Sequence, residues 1–235
     1  MMISLCVPTR QRPDNITRLC YSVFNKAKHP SQVEVIFYID HDDNRDFVEE
    51  TITLLQEEFI NVKYIKGDRI NLSKMWNMCA ENADGDIFMH GGDDITINTQ
   101  DWDEIVRNAF QEEEDNIWLV YGDDLLQGEK LATHGFYHRD WYETLGYLTA
   151  PYFSSDYCDT WNDEVARYIG RIKYVPHLIT EHHHFTNNKA NLDINTIERL
   201  QRHKADNVNV KFEELRDERI KDAEKLKNFL KKGKE

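Results

Sequence analysis

Short apolar runs alternate with amphipathic segments through the first half of the chain. The runs lie at residues 3–7, 33–39, 62–65, 87–89 and 117–121. Runs of this length that are rich in β-branched residues are typical of strands buried on both faces of a sheet. Between them, apolar residues recur at helical spacing, most clearly at Ile16, Leu19, Cys20, Val23 and Phe24. This alternation predicts parallel β-α-β units, with helices covering both faces of a central sheet.

The second half of the chain has a different pattern. Residues 123–211 are loop-rich and aromatic, and from Phe212 onward a thin apolar stripe recurs along a polar, helical segment. We therefore divide the chain into a sheet-forming part at 1–122, an annex at 123–211 and a C-terminal amphipathic helix at 212–235. The stripe on that helix is expected to pack on the body of the protein or on a second copy, which would make a homodimer.

Composition and charge narrow the class of protein. The 235 residues are 40% apolar and 11% aromatic, enough for a core, and the net charge is −14. A strongly negative chain repels nucleic-acid backbones and anionic membrane surfaces, so neither is the expected partner. The first residues carry no basic leader and no apolar run is long enough to span a bilayer, so we expect a soluble, cytoplasmic protein. The four cysteines form no CxxC pair and are expected to be core thiols.

Two carboxylate clusters follow predicted strands. Gly91-Gly92-Asp93-Asp94 comes after one apolar run, and Asp40 ends another. The carboxyl ends of parallel strands meet at one edge of a sheet, where ligands bind. The aspartates after the glycines offer hard oxygen ligands for Mg²⁺ or Mn²⁺, and Asp40 can accept hydrogen bonds from a base or a ribose. The alternative is an N-cap on the following helix, a role that Asp42 or Asp43 fits better than Asp40.

Taken in order, six segments resemble the motifs of family-2 glycosyltransferases of the GT-A fold. They are residues 3–13, Asp40, residues 71–85, Asp93-Asp94, residues 153–156 and residues 170–176. An ordered set of motifs is far more specific than any one of them. The resemblance implies an α/β fold with a Rossmann-like, mostly parallel central sheet flanked by helices, a loop-rich acceptor side and a C-terminal helix. Residues 1–122 would bind the donor, and 123–211 would hold the acceptor side and the catalytic base.

The resemblance also implies which residues hold the donor and a metal. The donor would be bound by Pro8, Thr9, Arg10, Asp40, Asn71, Asn77 and Asp93. Mn²⁺ or Mg²⁺ would be bound by Asp93, Asp94 and one histidine of the run at 182–184, of which His182 best matches the family's position. His90 is closer to the aspartates in sequence, but a strand-end histidine is more often packed in the core.

Three arginines are further candidates for the donor diphosphate, because guanidinium groups pair well with phosphate oxygens. They are Arg10, Arg12 and Arg69, and the alternative for each is a solvated surface position. The aromatic residues around Asp156 suit either stacking on a sugar or the core of the annex.

Two positions depart from the family's pattern. The usual first aspartate of the metal-binding DxD motif is Gly91, which leaves Asp93 and Asp94 to carry the cation. The usual Glu-Asp pair of the base motif reads Ser155-Asp156, so Asp156 inherits the role of general base, with Asp159 as the alternative. A single base opposite the leaving group implies inversion at the anomeric carbon.

The implied activity is metal-dependent transfer of a hexosyl or pentosyl unit from a nucleoside-diphosphate sugar, with a UDP-sugar as the favoured donor. The acceptor would be a hydroxyl of a soluble glycan, protein or metabolite, or of a hydroxymethylated base in viral DNA. A sugar-nucleotide nucleotidyltransferase is one alternative, but residues 8–12 lack the glycine-rich loop of that class. A catalytically inactive module that binds nucleotide sugars or glycans is the other, favoured by the missing first aspartate.

Overall fold

Eight strands form one sheet in the computed structural model, which describes residues 1–43 and 47–232. The strands are β1 (Ile3–Thr9), β2 (Val33–Asp40), β3 (Val62–Gly67), β4 (Ile87–His90), β5 (Ile95–Ile97), β6 (Leu119–Asp123), β7 (Phe136–His138) and β8 (Ile172–His182). Their order across the sheet is β3-β2-β1-β4-β7-β6-β8-β5. The predicted α/β class, with a central sheet flanked by helices, is confirmed.

The helices follow the strands closely in the first half and accumulate at the C-terminal end. They are α1 (Pro13–Lys26), α2 (Phe47–Glu58), α3 (Leu72–Glu81), α4 (Trp102–Gln111), α5 (Arg139–Leu145), α6 (Cys158–Ile169), α7 (Ile194–Ala205), α8 (Val208–Glu214) and α9 (Arg216–Lys232). No helix within residues 1–43 and 47–232 combines the length and the apolar character needed to cross a bilayer.

The parallel part of the sheet places the candidate residues at one edge. β1 lies between β2 and β4 and is parallel to both, and β3 continues the parallel order beyond β2. Every residue of β2 is buried, as a strand covered by helices on both faces must be. Because these strands end at the same edge, Thr9, Asp40 and the turn at 91–94 are brought together there.

Antiparallel pairing extends the sheet beyond β4. β7 is antiparallel to both β4 and β6, and β8 is parallel to β6 and antiparallel to β5. In the pairing of β5 with β8, Ile95 lies opposite His182. The end of β8 is thereby held beside Asp94, which directly precedes β5.

Apolar side chains fill both faces of the sheet. One face carries α1, α2 and α4, and the other carries α3, α5, α6, α8 and α9. All four cysteines are buried and free, as their positions predicted. Several aromatic side chains of the annex, among them Trp141, Phe153 and Trp161, are fully buried in the second layer. Their role is therefore to form the annex core.

The C-terminal region contains more structure than the apolar stripe predicted. Instead of one helix starting at Phe212, α8 and α9 are separated by Leu215, and α7 precedes them. Ala223 and Leu226 of α9 are buried against α5 and α6 of the same chain. The stripe thus packs on the body of the protein.

Candidate active site

A cavity of about 770 Å³ opens at the carboxyl ends of β1, β2 and β4. Most residues that the sequence singled out line it: Pro8, Thr9, Arg10, Arg12, Asp40, Arg69, Asn71, Asp93, Asp94, Asp156, Asp159 and His182. Ligands of open α/β sheets bind at this edge, where the strand order reverses on either side of β1. The fold therefore brings the candidate residues of both halves of the chain to one space.

Asp40 is buried at the end of β2 and pairs with an arginine. Its Oδ2 accepts a hydrogen bond of 2.9 Å from Nη1 of Arg10, which also donates to Asp42. Its Oδ1 is buried and has no hydrogen-bond partner among the described residues. Burial raises the pKa of Asp40, although the positive charge of Arg10 opposes the rise. One carboxylate oxygen at the cavity wall thus remains available as an acceptor.

Asp93 accepts hydrogen bonds from Thr9, Arg12 and, at 3.4 Å, Asn15, and is only 3% exposed. Its Oδ2 accepts a hydrogen bond of 2.8 Å from Oγ1 of Thr9, and its Oδ1 accepts one of 3.0 Å from Nη1 of Arg12. Burial raises the pKa of Asp93, and the guanidinium of Arg12 counteracts it. Arg12 also donates from Nε to Asp193, 2.7 Å away. The negative charge of Asp93, the first predicted metal ligand, is therefore already compensated by the guanidinium group of Arg12.

Asp94 and His182 form the second half of the predicted metal site. Oδ2 of Asp94 lies 3.5 Å from Nε2 of His182. The buried Nδ1 of His182 has no hydrogen-bond partner in the part of the chain that the structure describes. Burial favours a raised pKa for Asp94, but His182 and Arg12 outweigh it and hold the pKa below its usual value. His183 instead contacts Thr96, at 2.9 Å, so His182 is the member of the run beside the aspartate.

The side chains of Asp94 and His182 supply part of the ligand set that a divalent cation needs. A carboxylate oxygen and an imidazole nitrogen are ligands that Mn²⁺ accepts. Among the described residues no group of three or more histidine, cysteine, aspartate or glutamate side chains is arranged to hold a metal. Asp94 and His182 therefore fit as two protein ligands, and further oxygens would have to come from a bound molecule.

Asp156 also lines the cavity and lies two residues before the start of α6. Its Oδ1 accepts a hydrogen bond of 2.9 Å from Nη1 of Arg199, and its Oδ2 accepts one of 2.5 Å from Nδ1 of His203. Asp159 is in the first turn of α6, where its Oδ1 accepts from the backbone of Thr160 at 2.7 Å. Burial raises the pKa of Asp159 to about 6, and the charge of Asp156 adds to the rise.

Helix α7 forms a wall of the cavity that the sequence analysis did not identify. Its cavity side carries polar residues: Asn195, Thr196, Glu198, Arg199, Gln201 and Arg202. Its apolar residues Ile194, Ile197 and Leu200 are 52%, 37% and 44% exposed, so the helix turns its polar face inward. The N-cap Asp193, which accepts from the backbone of Thr196, was a local signal for this helix. No local feature of the sequence indicated which face of α7 lines the cavity.

Asn77 is placed differently from the other predicted donor residues. Its Oδ1 accepts from the backbone N–H groups of Leu148 and Thr149, and its Nδ2 donates to the carbonyl of Thr149, each bond being 2.8 to 2.9 Å long. This side chain fixes the loop after α5 and does not line the cavity. These hydrogen bonds of Asn77 stabilise the loop.

Two buried histidines also border the cavity. His90 packs against the rings of Trp76 and Tyr137, and burial lowers its pKa to about 4. It is thus a packed residue, as expected. His134, which no motif indicated, lies with its ring centroid 5.0 Å from that of His182, and burial lowers its pKa to about 3. Both imidazoles are neutral near pH 7.

Solved structures with this fold include nucleotide-sugar enzymes. S. aureus TarS 1-349 in complex with UDP superposes with a TM-score of 0.59 at 16% identity, covering 77% of this chain and 59% of that chain. The mannosyltransferase PcManGT from Pyrobaculum calidifontis, in complex with GDP-Man and Mn²⁺, gives a TM-score of 0.61 at 13% identity, covering 76% of this chain and 56% of the other. The match thus spans little more than half the length of these two chains, and 36% of that of a longer S. aureus TarS chain. No curated protein sequence matches the present chain.

The family comparison is more specific than these structural similarities, which at such identities indicate a shared fold alone. The model of glycosyl transferase family 2 matches residues 4–161, which is more than half of the chain. The matched range contains β1, the end of β2, the turn after β4 and Asp156. This chain therefore belongs to glycosyl transferase family 2.

Proposed function

We propose that this protein is a metal-dependent, inverting glycosyltransferase. It would move a hexosyl or pentosyl unit from a nucleoside-diphosphate sugar to a hydroxyl of a soluble acceptor. The observation that carries the proposal is the convergence of Asp40, Asp93, Asp94 and Asp156 on one cavity at the switch point of the sheet. These four carboxylates come from three separate segments of the chain, and their convergence on one cavity supports binding of a shared ligand.

The donor half of the cavity supports binding of a nucleoside diphosphate. Oδ1 of Asp40 is a buried acceptor without a partner, which suits an N–H of a base or a ribose hydroxyl. Arg10, Arg12 and Arg69 line the same cavity and offer guanidinium groups to phosphate oxygens. TarS has been solved with UDP and with UDP-GlcNAc, and the mannosyltransferase with GDP-Man. We favour a UDP-sugar as the donor.

The metal would be held by Asp94 and His182, with Asp93 joining when Arg12 is drawn to the diphosphate. When bound, the cation would neutralise the negative charge that develops on the leaving diphosphate. The mannosyltransferase with this fold was solved with Mn²⁺. In the present chain, Thr9 and Arg12 orient Asp93 by hydrogen bonds to both of its oxygens.

Asp156 would act as the general base. The hydroxyl of the acceptor transfers its proton to a carboxylate oxygen of Asp156 while the hydroxyl oxygen forms a bond to the anomeric carbon. The bond from that carbon to the diphosphate breaks, and its electron pair leaves with the nucleoside diphosphate. Attack from the face opposite the leaving group inverts the configuration. General-base assistance of this kind contributes about 10²- to 10⁴-fold in rate.

Release of nucleoside diphosphate tests the proposal directly. Nucleotide sugars are first screened for an increase in melting temperature with Mn²⁺ present, since a ligand bound only by the native state stabilises it. The stabilising donor is then incubated with the protein, with water as acceptor, and the released nucleoside diphosphate is measured. Asp156→Asn should keep donor binding and lose about a hundredfold or more in turnover. Donor binding with no turnover by the unmodified protein would identify an inactive binding module instead.

Asp159→Asn is the matched control for this experiment, because Asp159 lines the same cavity and belongs to the same segment. It should retain turnover if Asp156 is the base. An inactive Asp159→Asn beside an active Asp156→Asn would move the role three residues along the chain. Two active variants would contradict a base in this segment and with it the inverting mechanism.

A further inference from the structure

The carboxylate of Asp156 accepts hydrogen bonds from two side chains on one face of α7. Nη1 of Arg199 donates to Oδ1 at 2.9 Å, and Nδ1 of His203 donates to Oδ2 at 2.5 Å. Residues four apart on a helix lie on the same face, so α7 presents both donors as one unit. We propose that His203 is a positioning residue for Asp156 in sugar transfer, an inference that rests on the proposed function.

The two donors differ in where they lie relative to the cavity. Asp156 and Arg199 line the cavity, whereas His203 is not among its lining residues. The side chain of His203 is 35% exposed, against 24% for that of Asp156. The imidazole therefore contacts the carboxylate from outside the space where the donor and the acceptor would react. His203 touches neither of them and acts through Asp156.

The hydrogen bonds leave Asp156 able to take a proton. Each carboxylate oxygen has two lone pairs, and each of the two donors occupies one. The remaining lone pairs can accept the proton of a hydroxyl in the cavity. With both oxygens held, the carboxylate group cannot turn about its bond to Cβ. Without the imidazole, only Arg199 would hold it, and the group would rotate toward the guanidinium.

The consequence is a loss of rate without a loss of donor binding. A base displaced by about 1 Å can cost on the order of a hundredfold in rate. The groups that would hold the nucleoside diphosphate, Asp40 and Arg10, belong to other segments, at the end of β2 and directly after β1, and pair with each other. His203→Leu, which keeps bulk and removes the N–H donor, should therefore lower kcat by about tenfold to a hundredfold and leave KM for the donor unchanged.

A second variant separates hydrogen bonding from packing. The amide nitrogen of an asparagine side chain can take the place of Nδ1 of histidine, so His203→Asn should recover most of the lost kcat. A residue that only packs would show the reverse order, with leucine tolerated better than asparagine. Lys204→Ala, a change at the neighbouring exposed residue of α7, is the control and should not alter turnover. Circular dichroism melting verifies that each variant is folded.

A double-mutant cycle tests whether His203 acts through Asp156. If it does, His203→Leu should have no further effect on the residual turnover of Asp156→Asn, because coupled residues are not additive. Independent, multiplicative losses would overturn the proposal, and so would a His203→Leu protein with the kcat of the unmodified protein. No turnover by the unmodified protein with any nucleotide sugar would instead be a failure of the proposed function itself.

Discussion

Nη1 of Arg12 donates to Oδ1 of Asp93 at 3.0 Å, and the same guanidinium binds Asp193 at the start of α7. The carboxylate expected to bind a cation is thus already neutralised by a side chain of the protein. Arg12 also connects the end of the sheet to the helix that closes the cavity. A divalent cation at Asp93 must compete with this arginine.

Replacing Arg12 should strengthen metal binding in the absence of nucleotide. Two unit charges 4 Å apart interact by roughly 4 kcal/mol at an effective dielectric constant of 20. Removing even part of the attraction between Arg12 and Asp93 should therefore raise the affinity of Asp93 for a cation. We expect Arg12→Gln to lower the Kd for Mn²⁺ about tenfold, measured by electron paramagnetic resonance of the free ion. Arg18→Gln is the control, because Arg18 lies on α1, which directly follows Arg12, but is bonded to Asn15. Equal affinities in Arg12→Gln, Asp93→Asn and the unmodified protein would remove Asp93 from the metal site.

Asp40 should contribute to recognition of the nucleoside. Asp40→Asn keeps the shape of the side chain but removes its charge, and hydrogen bonds to charged groups are worth about 1.5 to 3 kcal/mol. We expect the Kd for the free nucleoside diphosphate to rise at least tenfold in titration calorimetry. Asp42→Asn is the matched control, because Asp42 binds the same arginine but its side chain is 54% exposed. If both variants bind equally well, Asp40 serves only to hold Arg10.

The stability of the protein should depend on pH through Asp159. Its pKa is about 6 in the folded protein and about 3.9 when unfolded, so the folded state binds more protons between these values. The contribution of Asp159 to the free energy of unfolding should therefore fall as pH rises from 4 to 6, while the lowered pKa values of His90 and His134 act in the opposite direction. Asp159→Asn should remove only the first of these contributions. We expect the variant to be more stable at pH 7 by about 1 to 2 kcal/mol in urea titrations. A less stable variant at pH 7 would contradict the assignment.

The packing of α9 should depend on Asp222 as well as on its apolar stripe. This buried carboxylate accepts hydrogen bonds from the hydroxyl of Tyr147 and from Nε1 of Trp161. Asp222→Ala would leave these donors without a partner, at a cost of about 1 to 3 kcal/mol in the free energy of unfolding. Glu224→Ala, on the exposed side of the same helix, should change it by less than about 0.5 kcal/mol. Equal effects of the two changes would show that Asp222 does not anchor the helix.

The sequence by itself determined the parallel half of the sheet and the carboxylates at its edge. A strand such as β2, buried along its whole length, requires a nearly continuous apolar run, here interrupted by Glu34, and such a run is visible in the sequence. The position of Asp40 at the end of that run follows directly. The family motifs likewise depend on short segments, so their residues were identified without knowledge of the packing.

The tertiary structure alone decided how these residues are paired. Asp156 meets His203 across 47 residues of chain, and Arg12 meets Asp193 across 181. Periodicity describes one element at a time and holds no information on which elements will touch. For α7, helical periodicity also indicates the wrong inward face, because the apolar residues of this helix face outward and its polar residues line the cavity. That orientation is favoured by ion pairs with Asp156 and Arg12, whose positions depend on the packing of the whole chain.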